Sequence, residues 1–371
     1  MRIDFDGKRS VEEILNEDDI VNINIPSLLN DTNKLFLGDN LKILKLLLKN
    51  GYKNKIDLIY IDPPFATNTI FRMENERVST ISMSNEGDVA YKDVLIGDDF
   101  LSFIRDRLVL AKELLSEKGS IYLHIDYKIG HYIKLIMDEI FGVSNFRNDI
   151  TRIKCNPKNF GRKAYGNIKD LILFYSKSKD PIWNDIKEPY TKEELERLYK
   201  KVDSNGRRYT TLPLHAPGET KTGKTGQAFK GIQPPVGRHW RCSPEELEEL
   251  DSLGLIEWSK TNNPRRIIYA HEKDGKKIQD IWDYKDPQYP NYPTEKNIDM
   301  LKQIILNSSN SDSIVLDFFC GSGTTLVACE ELGRKWIGVD KSAKAIDVVQ
   351  DRLNTVSNMY SPKVQLILLE D

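Results

Sequence analysis

Two stretches of the chain alternate short apolar runs with helix-like periodicity, and they flank a middle that shows neither pattern. In the first, KLFLG (34–38) reads as a strand and LKILKLLLKN (41–50) as a helix stopped by Gly51. IDLIYI (56–61) is an unbroken apolar run of the kind found in strands buried on both faces of a parallel sheet. Residues 66–97 are polar and poorly periodic and read as a long loop. Residues 98–119 carry apolar side chains at helical spacing and close on Gly119, where a helix C-cap favours glycine; SIYLHI (120–125) follows as a strand. The second stretch begins with a helix at about 295–307 and the strand SIVLDF (313–318). A glycine-containing turn then opens the helix TLVACEEL (325–332), closed by Gly333. WIGVD (336–340) is a further strand, Ser342 the N-cap of a helix through Leu353, and VQLILL (364–369) an edge strand. Strands alternating with helices at this spacing predict an α/β fold, a doubly wound and mostly parallel sheet. The expected divisions are an N-terminal extension (1–33), a first half of the sheet domain (34–179), an insert (180–290) and a second half (291–371).

The remaining classes are narrowed by composition. At 39% hydrophobic and 30% charged residues the chain reads as globular, and no run of 18 apolar residues is present, so no membrane-spanning helix is expected. The opening MRIDFDGKRSVEEILNEDD mixes both signs of charge and has no apolar core, unlike a secretory signal. Four cysteines without CxxC pairing and five histidines without HxxxH spacing predict neither a metal site nor a disulfide framework, and fit a cytoplasmic location. The net charge of −2 conceals a segregation. Residues 151–179 hold eight Lys/Arg against one acid, Asp170, and residues 205–241 hold seven (Arg207, Arg208, Lys221, Lys224, Lys230, Arg238, Arg241) against one, Glu219. A polyanion would meet the middle of the chain. His239 and Trp240 sit within that run.

Two motifs carry chemistry. In open α/β sheets ligands gather at the carboxyl ends of strands, and Asp62-Pro63-Pro64-Phe65 follows the strand 56–61 there. Consecutive prolines fix φ and remove two amide donors, so a carboxylate and a proline carbonyl form a pair of acceptors suited to the two hydrogens of an NH2 group. Phe65 adds an apolar face for a flat ring, and the set suits an aromatic amine extruded from its stack. The second motif is Asp317-Phe318-Phe319-Cys320-Gly321-Ser322-Gly323-Thr324-Thr325, between a strand and a helix, with Asp340 ending the next strand. Glycines admit a ligand close to the backbone, and an acid about 20 residues on is placed for a ribose diol. Leu326 stands where a third glycine would be, which disfavours a pyrophosphate cofactor and leaves an adenosine-containing one. Cys320 reads as a small residue of the turn, and His124 and Asp126, after a strand end, as structural.

Together the two motifs resemble those of the amino-methyltransferases of DNA. The catalytic motif (D/N/S)PP(Y/F/W) matches residues 62–65, and VLDFFCGSGTT (315–325) is similar to the family's cofactor motif. Their order, with the recognition region between them, resembles the β class, which includes type III modification subunits. TEKN (294–297) and GDN (38–40) are similar to further family elements near the cofactor, and Tyr91-Lys92-Asp93 to the segment after the catalytic loop. The resemblance covers about residues 34–355 and implies a Rossmann-like S-adenosylmethionine-dependent methyltransferase fold, with 34–179 its catalytic half, 180–290 a target-recognition insert and 291–371 its cofactor-binding half. It implies catalytic Asp62, Pro63, Pro64 and Phe65. The cofactor contacts it implies are Asp39, Thr294, Lys296, Asp317, Phe319, Gly321, Ser322, Gly323, Thr324 and Asp340. It implies double-stranded DNA as substrate, met by Arg207, Arg208, Lys221, Lys224, Lys230, Arg238, His239 and Arg241, with a second copy of the chain and a restriction subunit as further partners. An Asp at the head of the tetrad favours adenine N6 over cytosine N4 as the target. A C5-cytosine mechanism, which in its own family uses a Pro-Cys dipeptide, is rejected because no cysteine here follows a proline.

Overall fold

The computed structural model describes residues 3–17, 32–64, 70–73, 88–92, 97–157, 161, 163–287, 295–356 and 363–369. Phe65 and Thr294 lie outside them, as do Lys158, Arg162 and Asp93. The described residues fall into two compact units, one of residues 1–186 with 279–371, the other Lys187–Ile278. No helix among them is long and apolar enough to cross a membrane.

The larger unit is built on a nine-stranded sheet. Its strands are β1 (Asn33–Leu37), β2 (Ile56–Ile61), β3 (Leu115–Ile125), β4 (Phe146–Ile153), β5 (Lys169–Ser176), β6 (Ile281–Trp282), β7 (Ile314–Asp317), β8 (Lys335–Asp340) and β9 (Val364–Leu368). Their order is β6-β4-β5-β3-β2-β7-β8-β1-β9. All neighbours run parallel except β5, which is antiparallel to both β3 and β4. The helices are α1 (Val11–Asn16), α2 (Asn40–Leu47), α3 (Gly97–Leu114), α4 (Gly130–Phe141), α5 (Ile298–Ser308), α6 (Thr324–Glu331) and α7 (Ala343–Val356). Alternate residues of the central strands serve the two faces. Ile59, Ile61, Ile121 and Leu123 join the core formed with α1 to α4, whereas Tyr122 turns the other way and its hydroxyl meets Ser308 of α5 at 2.8 Å. The architecture is the doubly wound, mostly parallel sheet that the alternation predicts.

Three readings change. Residues 66–97 are not wholly loop, because Ile70–Met73 and Asp88–Lys92 pair as an antiparallel ribbon. The helix expected to run to Gly119 ends at Leu114, and residues 115–119 belong to β3. Its last carbonyls are satisfied across the fold, Glu113 O by the Asn54 amide and Leu114 O by the Lys55 amide, both at 3.0 Å, so no glycine cap is needed. Gly119 is required for a different reason, since a Cβ there would stand 2.8 Å from Ile56 O. Thirdly, the described part of the N-terminal extension is tied to the sheet domain. Ser10 and Glu13 form a capping box, Ile14 is fully buried, and Arg9 and Lys8 pair with Asp106 and Glu139.

The smaller unit has its own four-stranded antiparallel sheet, ordered 256–258, 264–269, 208–213, 201–202, and a hairpin of 215–217 with 238–240. Its core is small: Leu214, Phe229, Trp240 and Leu247, with Phe229 stacked on Trp258 at 5.7 Å. Trp240 is fully buried and its Nε1 donates to Gln227 O at 3.0 Å, which gives that side chain a packing role. With so few apolar groups, Trp240→Ala is expected to cost about 3–5 kcal/mol and to unfold this unit ahead of the larger one in a urea titration. A loss below about 1 kcal/mol would show that the unit is held otherwise.

Candidate active site

Strands β2 and β7 are neighbours, with Leu58 and Ile59 beside Val315 and Leu316, so the two motifs, distant in sequence, share one edge of the sheet. Asp62 leaves β2 at that edge. Its Oδ2 is ion-paired with the Lys296 ammonium, whereas Oδ1 is buried and has no hydrogen-bond partner among the described residues. Pro63 is buried and Pro64 half-buried behind it. His124, at the end of β3 and fully buried, holds Nδ1 4.0 Å from that orphaned oxygen and 3.0 Å from the Tyr60 hydroxyl. Its Nε2 lies 3.3 Å from Asp170 Oδ2, and Lys154 Nζ lies 2.6 Å from Asp170 Oδ1. Burial opposes ionisation of Asp170, but the His124 hydrogen bond and the Lys154 ammonium outweigh it and hold its carboxyl far below the usual range.

On β7, Asp317 accepts from Thr325 Oγ1 at 2.6 Å and from the Phe319 amide at 3.0 Å, bonds that fold the turn back on its own strand. Burial nevertheless pushes its carboxyl up to about 7, with the charges of Asp62 and Asp340 adding to the shift. Asp340 at the end of β8 accepts from the Gly321 and Ser342 amides, each at 2.8 Å. The two glycines of the turn differ. Gly321 has φ +50° and nothing within 4 Å of where a Cβ would be, so its backbone faces open space. Gly323 has φ +73° and a Cβ there would stand 2.7 Å from Val349 Cγ2, so its small size serves the packing of α7.

Arg352 of α7 reaches back to the turn. Its Nη1 donates to Ser322 O at 3.0 Å and to Ser322 Oγ and Thr324 Oγ1 at 3.1 Å, while Nη2 pairs with Glu295 at 2.9 Å. One guanidinium thus joins the turn to the residue before Lys296. Asp39 caps α2 through the Leu41 amide at 2.8 Å and lies 3.5 Å from Arg107, whose Nε donates to Asn40 Oδ1; Asn40 in turn donates to Phe318 O. Phe319 is half-buried against Phe103 and Phe318. Sequence reasoning missed Arg352, Glu295, Tyr60 and Asp170. Glu295, inside TEKN, and Asp170, as the lone acid in a basic stretch, carried a signal; Arg352 and Tyr60 carried none.

In the smaller unit the expected basic surface is largely neutralised by acids from flanking segments. Arg207 pairs with Asp203 and stacks on Tyr269, and Arg208, Lys224 and Lys230 pair with Glu196, Glu245 and Asp251. His239 Nδ1 donates to Gly218 O at 2.7 Å. Lys221, Arg238 and Arg241 are exposed. Arg238 Nη1 lies 3.1 Å from His215, and burial together with the charges of Arg238, Arg265 and Arg241 depresses the His215 pKa. The basic focus therefore includes Arg265, which lies outside the run read from sequence.

The Asp62 carboxylate at the end of β2 thus lies on the same edge of a mostly parallel sheet as the glycine turn that follows β7. The chain belongs to the DNA methylase family of N6 and N4 methyltransferases, whose model matches residues 56–351, and is by that membership a DNA methyltransferase. It is 43% identical over 327 residues to the type II methyltransferase M.EcaI of Enterobacter cloacae, a match covering 86% of this chain and 69% of that protein. It is 29% identical to the StyLTI Mod subunit, from a type III restriction-modification enzyme of Salmonella typhimurium, across 90% of this chain and 56% of the subunit. The chain thus spans little more than half of that second relative. The M1.HpyAVI-SAM complex is a structural neighbour at 18% identity and TM-score 0.44, covering 86% of this chain and 99% of that one.

Proposed function

We propose that the chain methylates the exocyclic N6 amine of an adenine flipped out of duplex DNA, with S-adenosylmethionine as methyl donor, in a restriction-modification setting. The observation that carries this reading is the buried Oδ1 of Asp62 at the carboxyl end of β2, which has no hydrogen-bond partner among the described residues. An unmet acceptor costs free energy in the resting protein, and a substrate amine hydrogen is the partner it lacks. With Oδ1 taking one hydrogen and the Pro63 carbonyl the other, the amine nitrogen is drawn toward tetrahedral geometry and its lone pair is released from the ring. Lys296 on Oδ2 holds one carboxylate oxygen and leaves Oδ1 as the acceptor for the amine. The residues then act by positioning and electrostatics, and no covalent intermediate is needed.

The residues present fit this cofactor. Asp62, Asp317 and Asp340 crowd one sheet edge and their mutual repulsion helps hold Asp317 up to about 7. A cationic ligand relieves that repulsion, whereas a pyrophosphate would aggravate it. S-adenosylmethionine, when bound, supplies an electrophilic methyl group on a positively charged sulfur. Asp317, Phe319, Gly321, Ser322 and Asp340 would line its place, with Lys296 beside them. Asp39, Gly323 and Thr324 would act through the helices and the turn that they hold. For DNA the reading takes Lys221, Arg238, Arg241 and Arg265 as the cations available to phosphate, so binding should weaken steeply with salt. The likeness to a type II methyltransferase and to the Mod subunit of a type III restriction-modification enzyme supports the restriction-modification setting and a restriction subunit as partner; a second copy of the chain is part of the same reading.

The test is incubation with methyl-labelled cofactor and unmethylated DNA, digestion to nucleosides and chromatography. Label is expected in N6-methyladenine. Its absence there would overturn the reading, and label in N4-methylcytosine would replace adenine with cytosine as the target.

A further inference from the structure

The methyl-transfer reading uses Asp62 but leaves unexplained the buried polar chain behind it, Tyr60, His124, Asp170, Lys154 and Arg152. His124 and Arg152 are fully buried and Asp170 nearly so, a costly arrangement far from solvent. The charges in this chain balance without the imidazole. Asp62 pairs with Lys296, Asp170 with Lys154 and Asp286 with Arg152, so each of these carboxylates has a cation without the imidazole. Burial lowers the His124 pKa, consistent with a neutral ring.

A neutral imidazole carries one proton, and its neighbours decide where. Asp170 is ionised and can only accept, so Nε2, 3.3 Å from it, carries the hydrogen and donates. Nδ1 is then a lone pair, and the Tyr60 hydroxyl at 3.0 Å, a phenol that burial and the Asp62 charge keep protonated, donates to it. Asp62 Oδ1, 4.0 Å from Nδ1, meets no hydrogen from this ring, which agrees with its lack of a partner. Were the proton on Nδ1, it would have the Tyr60 oxygen at 3.0 Å and Asp62 Oδ1 at 4.0 Å as acceptors, and turning to the second would occupy the acceptor that the substrate amine needs. We propose that His124 is a positioning residue for methyl transfer, locked by Asp170 with its proton on Nε2 so that no ring hydrogen competes with the amine for Asp62 Oδ1. The proposal rests on the assignment of Asp62 as the amine acceptor.

Protonation of His124 would add a hydrogen at Nδ1 that competes with the amine for Oδ1. The acid limb of kcat should therefore follow the His124 ring in the field of the groups that face it. These are Tyr60 and Asp62 from β2, Asp170 from β5, Arg152 and Lys154 from β4 and the residues after it, and Lys296.

The test uses the full chain labelled with 15N-histidine, with His124→Asn to assign the ring signals. The long-range proton–nitrogen spectrum of the wild type at neutral pH is expected to show His124 as the Nε2–H tautomer. Asp170→Asn, whose amide can donate to Nε2, is expected to move the proton to Nδ1 and to lower kcat on the order of 10²-fold with the cofactor KM unchanged. On a His124→Asn background the same change should cost less than about threefold. An Nδ1–H tautomer in the wild type, or an Asp170→Asn loss that persists in full without His124, overturns the proposal. The wild-type tautomer decides even if Asp170→Asn does not fold. It is also independent of the assignment of Asp62, which instead fails if Asp62→Ala retains methyl transfer.

Discussion

Asp62→Asn is expected to lower the single-turnover rate of methyl transfer by about 10²–10³, the loss typical of a preorganised transition-state partner, with cofactor affinity changed no more than a few-fold. The reason lies in Lys296. Its ammonium demands an oxygen at the Oδ2 position, so the asparagine amide must place its NH2 where Oδ1 stood. A donor then faces the amine, itself a donor, and the buried acceptor is lost. The orientation is imposed by the lysine, so removing it should release the constraint. In Asp62→Asn with Lys296→Met the amide can turn, and part of the rate should return relative to Asp62→Asn alone. Rapid-quench assays with labelled cofactor, alongside calorimetric titration of cofactor, read both effects. A rate within fivefold of wild type in the single variant would mean that Asp62 does not hold the amine.

The second large effect concerns stability against pH. Asp317 has its folded-state pKa raised to about 7 from an ordinary 3.8, so between these values the native state holds a proton that the unfolded chain has released. The sign follows from linkage: stability falls as pH rises across this window and levels off above pH 7. Three units correspond to about 4 kcal/mol. Asp317→Asn keeps an oxygen for the Phe319 amide and removes the charge, so it should abolish this dependence. The stability gap between variant and wild type is expected to move in favour of the variant by about 3 kcal/mol between pH 4.5 and pH 8. Taking the difference cancels groups that titrate in both proteins, including His124 and Asp170. Urea denaturation at several pH values measures it, and a gap constant within about 1 kcal/mol would show that Asp317 ionises normally.

The parts of the fold legible in sequence were those fixed by local pattern. IDLIYI and SIVLDF are unbroken apolar runs and became adjacent central strands; the glycines of CGSGTT became the turn after the second. Legibility failed where a distant partner decided the outcome. Helix α3 ends early because amides at 54 and 55 cap its carbonyls, a contact invisible in the residues near Gly119. Arg207, Arg208, Lys224 and Lys230 read as an open basic face because their acids lie in segments of different composition or four residues away. Arg352 is thirty positions from Ser322 and on no motif, yet it holds the turn. The site followed the same rule: Asp62 was readable from two prolines and a strand end, while the His124 and Asp170 chain behind it depended on β5 running antiparallel to β3.

The strand order has a consequence for biosynthesis. β2 is flanked by β3, which follows it closely in the chain, and by β7, which emerges from the ribosome some 250 residues later; β1 waits longer still for β8 and β9. Until then the early strands present unpaired, strongly apolar edges, the feature that most invites wrong pairing between nascent chains. Late closure by β7 also means that Asp62 and the glycine turn become neighbours only once β7 has been made. Partly made chains therefore hold the acceptor without the turn.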